Sequence, residues 1–183
     1  MQDFREQARK NGVTIIDTGP CQFCGAAVGG GVEACLLLAS TSGSGNHAAL
    51  QQSGTLFLAV DAHALQHAEI HGPWNNAIHL LRQHLMLERQ LTWQYEKTPL
   101  LSDFLKEYRR RPNAAVPASP LPRQRGALTT TDIARAATPD EHRALVRQWA
   151  EAVYAAFAPD HPWARERAAE IVQNQRYRRI CSG

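Results

Sequence analysis

The chain has 183 residues, 44% of them hydrophobic, enough for one ordinary domain core without added staples. Its 20 basic and 17 acidic residues leave a net charge of only +3, too weak by itself to mark a nucleic-acid binder. No apolar run approaches the ~18 residues a membrane span needs, and the polar, mixed-charge start at residues 1–12 is unlike a secretory leader, so the expected compartment is the cytoplasm. Thiols stay reduced there, and clustered cysteines read as metal ligands or reactive groups before they read as disulfides.

Residues 1–20 are weakly patterned and are taken as an N-terminal extension; Val13-Thr14-Ile15-Ile16 has strand composition but no evident partner strand. Cys21-Gln22-Phe23-Cys24-Gly25 is a metal knuckle, with two thiolates three positions apart and a glycine that lets the chain turn back. Cys35 follows across Gly29-Gly30-Gly31, and a short helix is expected from Glu33 to Ser40. Residues 41–46 read as a loop. From His47 to Glu69 the apolar spacing is helical (Leu50, Leu56, Phe57, Val60, Ala64, Leu65), weakened at Gly54 by roughly 1 kcal/mol relative to alanine.

Gly72-Pro73 breaks the chain, and the next helix is expected over 74–90 with Ile78, Leu81 and Leu85 near one face. A third helix begins near Pro99 and ends in Arg109-Arg110-Arg111, where cations complement the helix dipole. Four prolines mark 112–126 as an extended Pro/Arg-rich linker. Thr131-Asp132 opens a short helix to about Ala137, and Thr138-Pro139-Asp140-Glu141 is a capping box. The helix after it carries Leu145, Val146, Trp149, Val153 and Tyr154 on one stripe and stops at 158–162; a last helix runs from Trp163 to about Arg178. The expectation is an all-α bundle of five or six helices, with residues 21–183 forming one zinc-binding helical domain that contains the linker.

Three cysteines leave a tetrahedral zinc one ligand short, and the chain holds eight histidines. His63, His67 and His71 are each four apart and would share a face of a continuous helix. His67, in the middle, is the best-placed fourth ligand; His79 and Cys181 are the alternatives. A closed four-ligand shell means a structural role, whereas three protein ligands and a water mean chemistry. Asp61, nearly two turns before His67, could orient a histidine through its second ring nitrogen, and His79 on the next helix could approach that pair. His142, in the first turn after Thr138, is expected to stay neutral beside a helix N-terminus. Asp61, His79 and His142 are therefore the candidate catalytic residues.

On these residues the chain resembles a bacterial group, domain-of-unknown-function family 5946. The resemblance rests on Cys21-x-x-Cys24-Gly25, Cys35, Val60 to His67, His79-Leu80, Leu87-Glu88-Arg89, Thr138 to His142, and Val146 to Tyr154, spanning roughly residues 21–167. It implies a small helical, zinc-binding protein and assigns no reaction. By position it carries over Asp61, Gln66, His67, His79 and His142. His63 departs from it, standing where a tyrosine is usual.

Two functions follow. The first is a metal-dependent enzyme, a hydrolase or group transferase on a small molecule, using Asp61, His67 and His79. The second is a non-catalytic interaction module with a purely structural Cys3His zinc site and an unknown protein partner. Phe23 is the only aromatic residue in the knuckle, which makes nucleic acid an unlikely partner. No phosphate-binding glycine loop or nucleophile elbow is present.

Overall fold

Apolar side chains at helical spacing leave this sequence one economical way to bury them, and the computed structural model, which describes residues 4–42 and 55–181, is all-helical. Its helices are α1 (Phe4–Lys10), α2 (Gly31–Ser42), α3 (Leu56–Gln66), α4 (Ala68–His71), α5 (Pro73–Leu87), α6 (Lys97–Arg109), α7 (Thr130–Ile133), α8 (Pro139–Ala156) and α9 (His161–Gln173). Six of the nine helices among the described residues have eleven residues or more and form the body. The helix start at His47, with Leu50 and Gly54, and most of the 41–46 loop lie outside the described residues.

Helix α3 packs on both α5 and α8, and α5 packs in turn on α8 and α9. The shared core contains Leu65, Leu81, Leu85, Phe104, Val153 and Ile171, all nearly or wholly buried. Burial of each such side chain is worth roughly 1.5–3 kcal/mol. On α8 the buried positions are His142, Val146, Trp149, Ala150, Val153 and Tyr154, the three-four spacing of one face. Its start is fixed as the sequence indicates: Thr138 Oγ1 accepts the Glu141 N–H at 3.1 Å and the Glu141 carboxylate accepts the Ala137 N–H at 2.7 Å. The second capped start is one residue earlier than expected, with Thr129 capping α7 and Asp132 accepting the Thr129 N–H at 2.8 Å.

A second, smaller apolar cluster joins Ala8 of α1, Cys21, Ala26, Val32, Cys35 and Ile70 of α4. Residues 4–20 therefore pack against the knuckle. Val13–Ile16 forms no strand. The Gln22 side chain takes the place of a partner strand, accepting the Ile16 N–H at 2.6 Å and donating to the Thr14 carbonyl at 2.9 Å. The only β-type pairing among the described residues is an isolated parallel bridge between Gly19 and Gly30.

The linker is bound to the body although it has no regular structure. The Ala115 carbonyl accepts from the Trp163 indole at 2.7 Å and from the Tyr108 hydroxyl at 3.0 Å. Arg125, buried, donates to the Gln66 carbonyl at 2.8 Å and pairs with Glu69. The arginine clusters serve the fold as well: Arg111 pairs with Glu170, Arg176 with Glu107, and Arg109 lies over the Trp74 ring. Among the described residues no helix is long and apolar enough to cross a membrane.

Candidate metal centre

The knuckle is a tight turn. The Gly25 N–H returns to the Cys21 carbonyl at 2.8 Å, and the Cys21 N–H bonds to the Ala26 carbonyl at 2.9 Å. Gly25 sits at φ +76°, a left-handed conformation that glycine adopts without a steric cost. The turn brings Cys21 and Cys24 to one side. Cys35 arrives from the second turn of α2, whose start is pressed against the chain before it. The Gly31 N–H bonds to the Gly19 carbonyl at 2.9 Å, and a Cβ on Gly31 would stand 2.0 Å from the Ile16 carbonyl oxygen.

His67 comes from the point where α3 stops. Its backbone, at φ −113° and ψ 33°, leaves the helix, and α4 restarts one residue later. Gln66 and Arg125 hold this break in place: the Gln66 amide donates to the Arg125 and Leu128 carbonyls, each at 2.8 Å, and Arg125 donates back to the Gln66 carbonyl. The His67 ring is oriented by its own helix. Nδ1 lies 2.7 Å from the His63 carbonyl, so Nδ1–H is the donor and the Nε2 lone pair is free.

That lone pair meets sulfur. Nε2 of His67 is 3.3 Å from the Cys21 Sγ and 3.5 Å from the Cys35 Sγ, while Cys24 and Cys35 are 3.6 Å apart at Sγ. A tetrahedral zinc with bonds of about 2.3 Å to sulfur and 2.0–2.1 Å to nitrogen places its donors about 3.5–3.8 Å from one another. All four donor atoms lie within 4.8 Å of each other, and they are the one such group among the described residues. The donors fit a metal ion. Cys21, Cys35 and His67 are at most 2% exposed.

Electrostatics give the same picture. Hydrogen bonds from Cys24 and Cys35 pull the Cys21 thiol far down, whereas those from Cys21 and Cys35 push the Cys24 thiol far up. Burial alone would lower the His67 imidazole, but its contacts with the Cys21 and Cys35 sulfurs outweigh that and raise it to about 9. Three sulfurs crowded against one imidazole cannot all ionise without a cation, and a metal ion bound among them would replace the shared protons.

Of the three candidates for the fourth donor, His67 belongs to the group. Cys181 ends a C-terminal turn against the main core, and His79 is held elsewhere. Asp61, expected to orient His67, instead binds His79: its Oδ1 accepts from the His79 Nδ1 at 2.7 Å. Asp61 is completely buried and is also clamped by Arg82, at 2.8 Å from Nε and 2.5 Å from Nη2. The reason is helical geometry. Six residues separate Asp61 from His67, which puts them on different sides of α3, so Asp61 faces α5 and His67 faces the knuckle.

His63 lies between these two sites. Its ring stacks on His67 with centroids 4.1 Å apart, and its Nε2 is 3.8 Å from the Cys35 Sγ. Thr130 Oγ1 is 3.4 Å from the same sulfur. Beyond His63 a cleft of about 470 Å³ opens, lined by His63, His71, His79, His142, Thr130 and Trp149 among others. His142 is 5% exposed, and neither ring nitrogen has a partner. Burial lowers its imidazole below the usual histidine range, a different cause from the helix N-terminus considered in the sequence. Arg82, His71, Thr130 and Trp149 were not singled out in the sequence as site residues. Only the spacing of His71 hinted at one.

Residues 19–158 match the model of a family of unknown function (DUF5946), and the chain belongs to that family. Comparison with curated proteins and with solved structures gives no match.

Proposed function

We propose that the ion is zinc, that it is structural, and that the protein acts on a small molecule in the histidine cleft beside it. Three thiolates and an imidazole form a soft donor set that suits zinc and disfavours magnesium or calcium. Four donors complete a tetrahedron and leave no position for a water. The ion joins three stretches of chain: the knuckle, α2 and the end of α3. It therefore contributes folding free energy and fixes the wall of the cleft that carries His63.

The observation that carries the catalytic reading is the Asp61–His79 pair. A buried carboxylate, already neutralised by Arg82, fixes the Nδ1–H of His79 and leaves Nε2 as the working nitrogen of a cleft residue. The reaction class is hydrolysis or group transfer on a small, largely apolar molecule, with His142 as the second polar group. The test is a panel of small ester, amide and phosphoester substrates on zinc-loaded protein, with His79→Ala as control. Turnover that His79→Ala abolishes while zinc content and helicity persist supports this reading. Turnover that His79→Ala leaves unchanged overturns the assignment of the chemistry to this cleft, and no turnover of any substrate favours instead a non-catalytic module built on the zinc site.

A further inference from the structure

A separate cavity of about 370 Å³ lies where the linker passes over α4, α5 and the 3₁₀ turn Ala158–Asp160. No residue that lines it also lines the histidine cleft. We infer that this cavity binds a small organic ammonium ion, an amine carrying an apolar group, with the Asp160 carboxylate as the counter-charge. The site goes beyond the chemistry proposed for the histidine cleft and does not depend on it.

The first observation is a buried acid short of partners. Asp160 lines the cavity and is only 9% exposed. Its Oδ1 accepts one long bond, from the Ser119 N–H at 3.4 Å, and its Oδ2 has no partner among the described residues. It immediately precedes α9, yet its side chain caps none of that helix's N–H groups. The other deeply buried acid, Asp61, has Arg82 and His79 against it. Asp160 has no such counter-ion among the described residues, and a carboxylate withdrawn from water in this way carries a desolvation cost that a bound cation offsets.

The second observation is the polarity of the lining. The Asn11 amide donates to the Ile70 carbonyl at 2.6 Å and the Asn76 amide to the Ala68 carbonyl at 2.8 Å, while Asn76 Oδ1 is buried without a partner. Glu69 adds a second carboxylate, already paired with Arg125. No lysine, arginine or histidine lines the cavity. The side chains thus engage their donors elsewhere and leave acceptors and negative charge, which select a cationic donor.

The third observation concerns what the cation carries. Leu65, Leu80 and Phe157 form apolar wall, each at most 4% exposed, and linker residues 117–121 lie across them. A cavity of this size and mixed lining suits a small amphipathic molecule. A metal ion is not the match. Asp160 and Glu69 belong to no group of three donor atoms close enough to share one among the described residues. An ammonium needs only one carboxylate.

The test is isothermal titration calorimetry on zinc-loaded protein at neutral pH with three probes of one shape: phenethylamine, phenethyl alcohol and phenylacetate. The amine is expected to bind once per chain and at least about 10-fold more tightly than the neutral alcohol, with the anion weakest. Asp160→Asn should bring the amine down to the affinity of the alcohol, with zinc content and helicity unchanged. Because Asp160 adjoins the start of α9, a second measurement uses the parent protein alone. Backbone amide NMR shifts on adding phenethylamine should concentrate at residues 117–121, at 157–160 and around Asn76. The proposal is overturned if the amine binds no more tightly than the alcohol, if Asp160→Asn binds it as well as the parent does, or if the shifts fall in the histidine cleft. Displacement of the amine by an equal concentration of calcium would mark a metal site and overturn it as well.

Discussion

The Nδ1–H of His67 donates to the carbonyl of His63, one turn earlier in α3, at 2.7 Å, and this one bond decides which nitrogen of His67 faces the three cysteines. It also explains why the helix ends where it does. The His67 N–H reaches both the His63 and Ala64 carbonyls, the chain then leaves the helix, and the ring is delivered to the knuckle with Nε2 forward.

The first prediction concerns the thiolates. Cys35 is fully buried and within reach of Cys24, His67, His63 and Thr130. Cys35→Ser should lose the metal and, with it, the stabilisation that binding supplies to the folded state. In thermal melts with and without chelator, the parent protein should shift down markedly on chelation. Cys35→Ser should melt at the lower temperature in both conditions.

Gly31→Ala acts on the same site without touching a ligand. The added methyl would meet the Ile16 carbonyl at 2.0 Å, and the position has φ +61°. The start of α2 must move, and Cys35 with it. Zinc affinity measured by competition with a chromophoric chelator should fall at least about 10-fold, as expected when the groups supporting a ligand are displaced. Unchanged affinity would mean that α2 does not position Cys35.

Arg82 is the counter-ion of a carboxylate with no exposure to solvent, and its guanidinium lies 4.5 Å over the Phe57 ring. Removing one partner of such a pair leaves a buried charge without compensation, so Arg82→Ala should cost about 3–5 kcal/mol in urea denaturation. His79→Ala should cost less, about 1–2 kcal/mol, because Asp61 keeps Arg82. The opposite ranking would show that His79, not Arg82, neutralises the carboxylate.

Acid sensitivity follows from His84. It is 3% exposed, its Nδ1 lies 2.7 Å from the Tyr154 hydroxyl, and its Nε2 has no partner. Burial lowers it to about 4, so it stays neutral and accepts from the tyrosine, whose own ionisation burial pushes up. The unfolded chain takes up this proton near pH 6.5 and the folded chain only near 4. Between these values the unfolded state binds more protons, so stability falls as the pH is lowered through the window and levels off below it. The share owed to His84 is about 1–3 kcal/mol. Denaturation at constant zinc from pH 7 to 4 should show a shallower acid loss in His84→Gln than in the parent. His71 and His142 are displaced in the same direction and account for part of the remainder.

Much of the fold was legible because it is local. The stripe on α8, the Thr138 cap, the Gly72-Pro73 break and the knuckle turn each depend on residues within a few positions of one another. The Cys3His set was legible because cysteine spacing is distinctive and His67 had a favourable register. The pairing of Asp61 with His79 rather than His67 was not, since it depends on how α3 and α5 pack. Gln22 standing in for a strand partner, and Arg125 pinning the linker to the end of α3, are likewise side-chain contacts that no periodicity reveals.

The central claim is that three sulfurs and one imidazole hold a zinc ion. X-ray absorption at the zinc edge on protein purified under reducing conditions tests it most directly. The expected spectrum has three sulfur neighbours at about 2.3 Å and one nitrogen at about 2.0–2.1 Å. A first shell of oxygen and nitrogen without sulfur, or protein that is free of zinc and folds equally well with a chelator present, would contradict it.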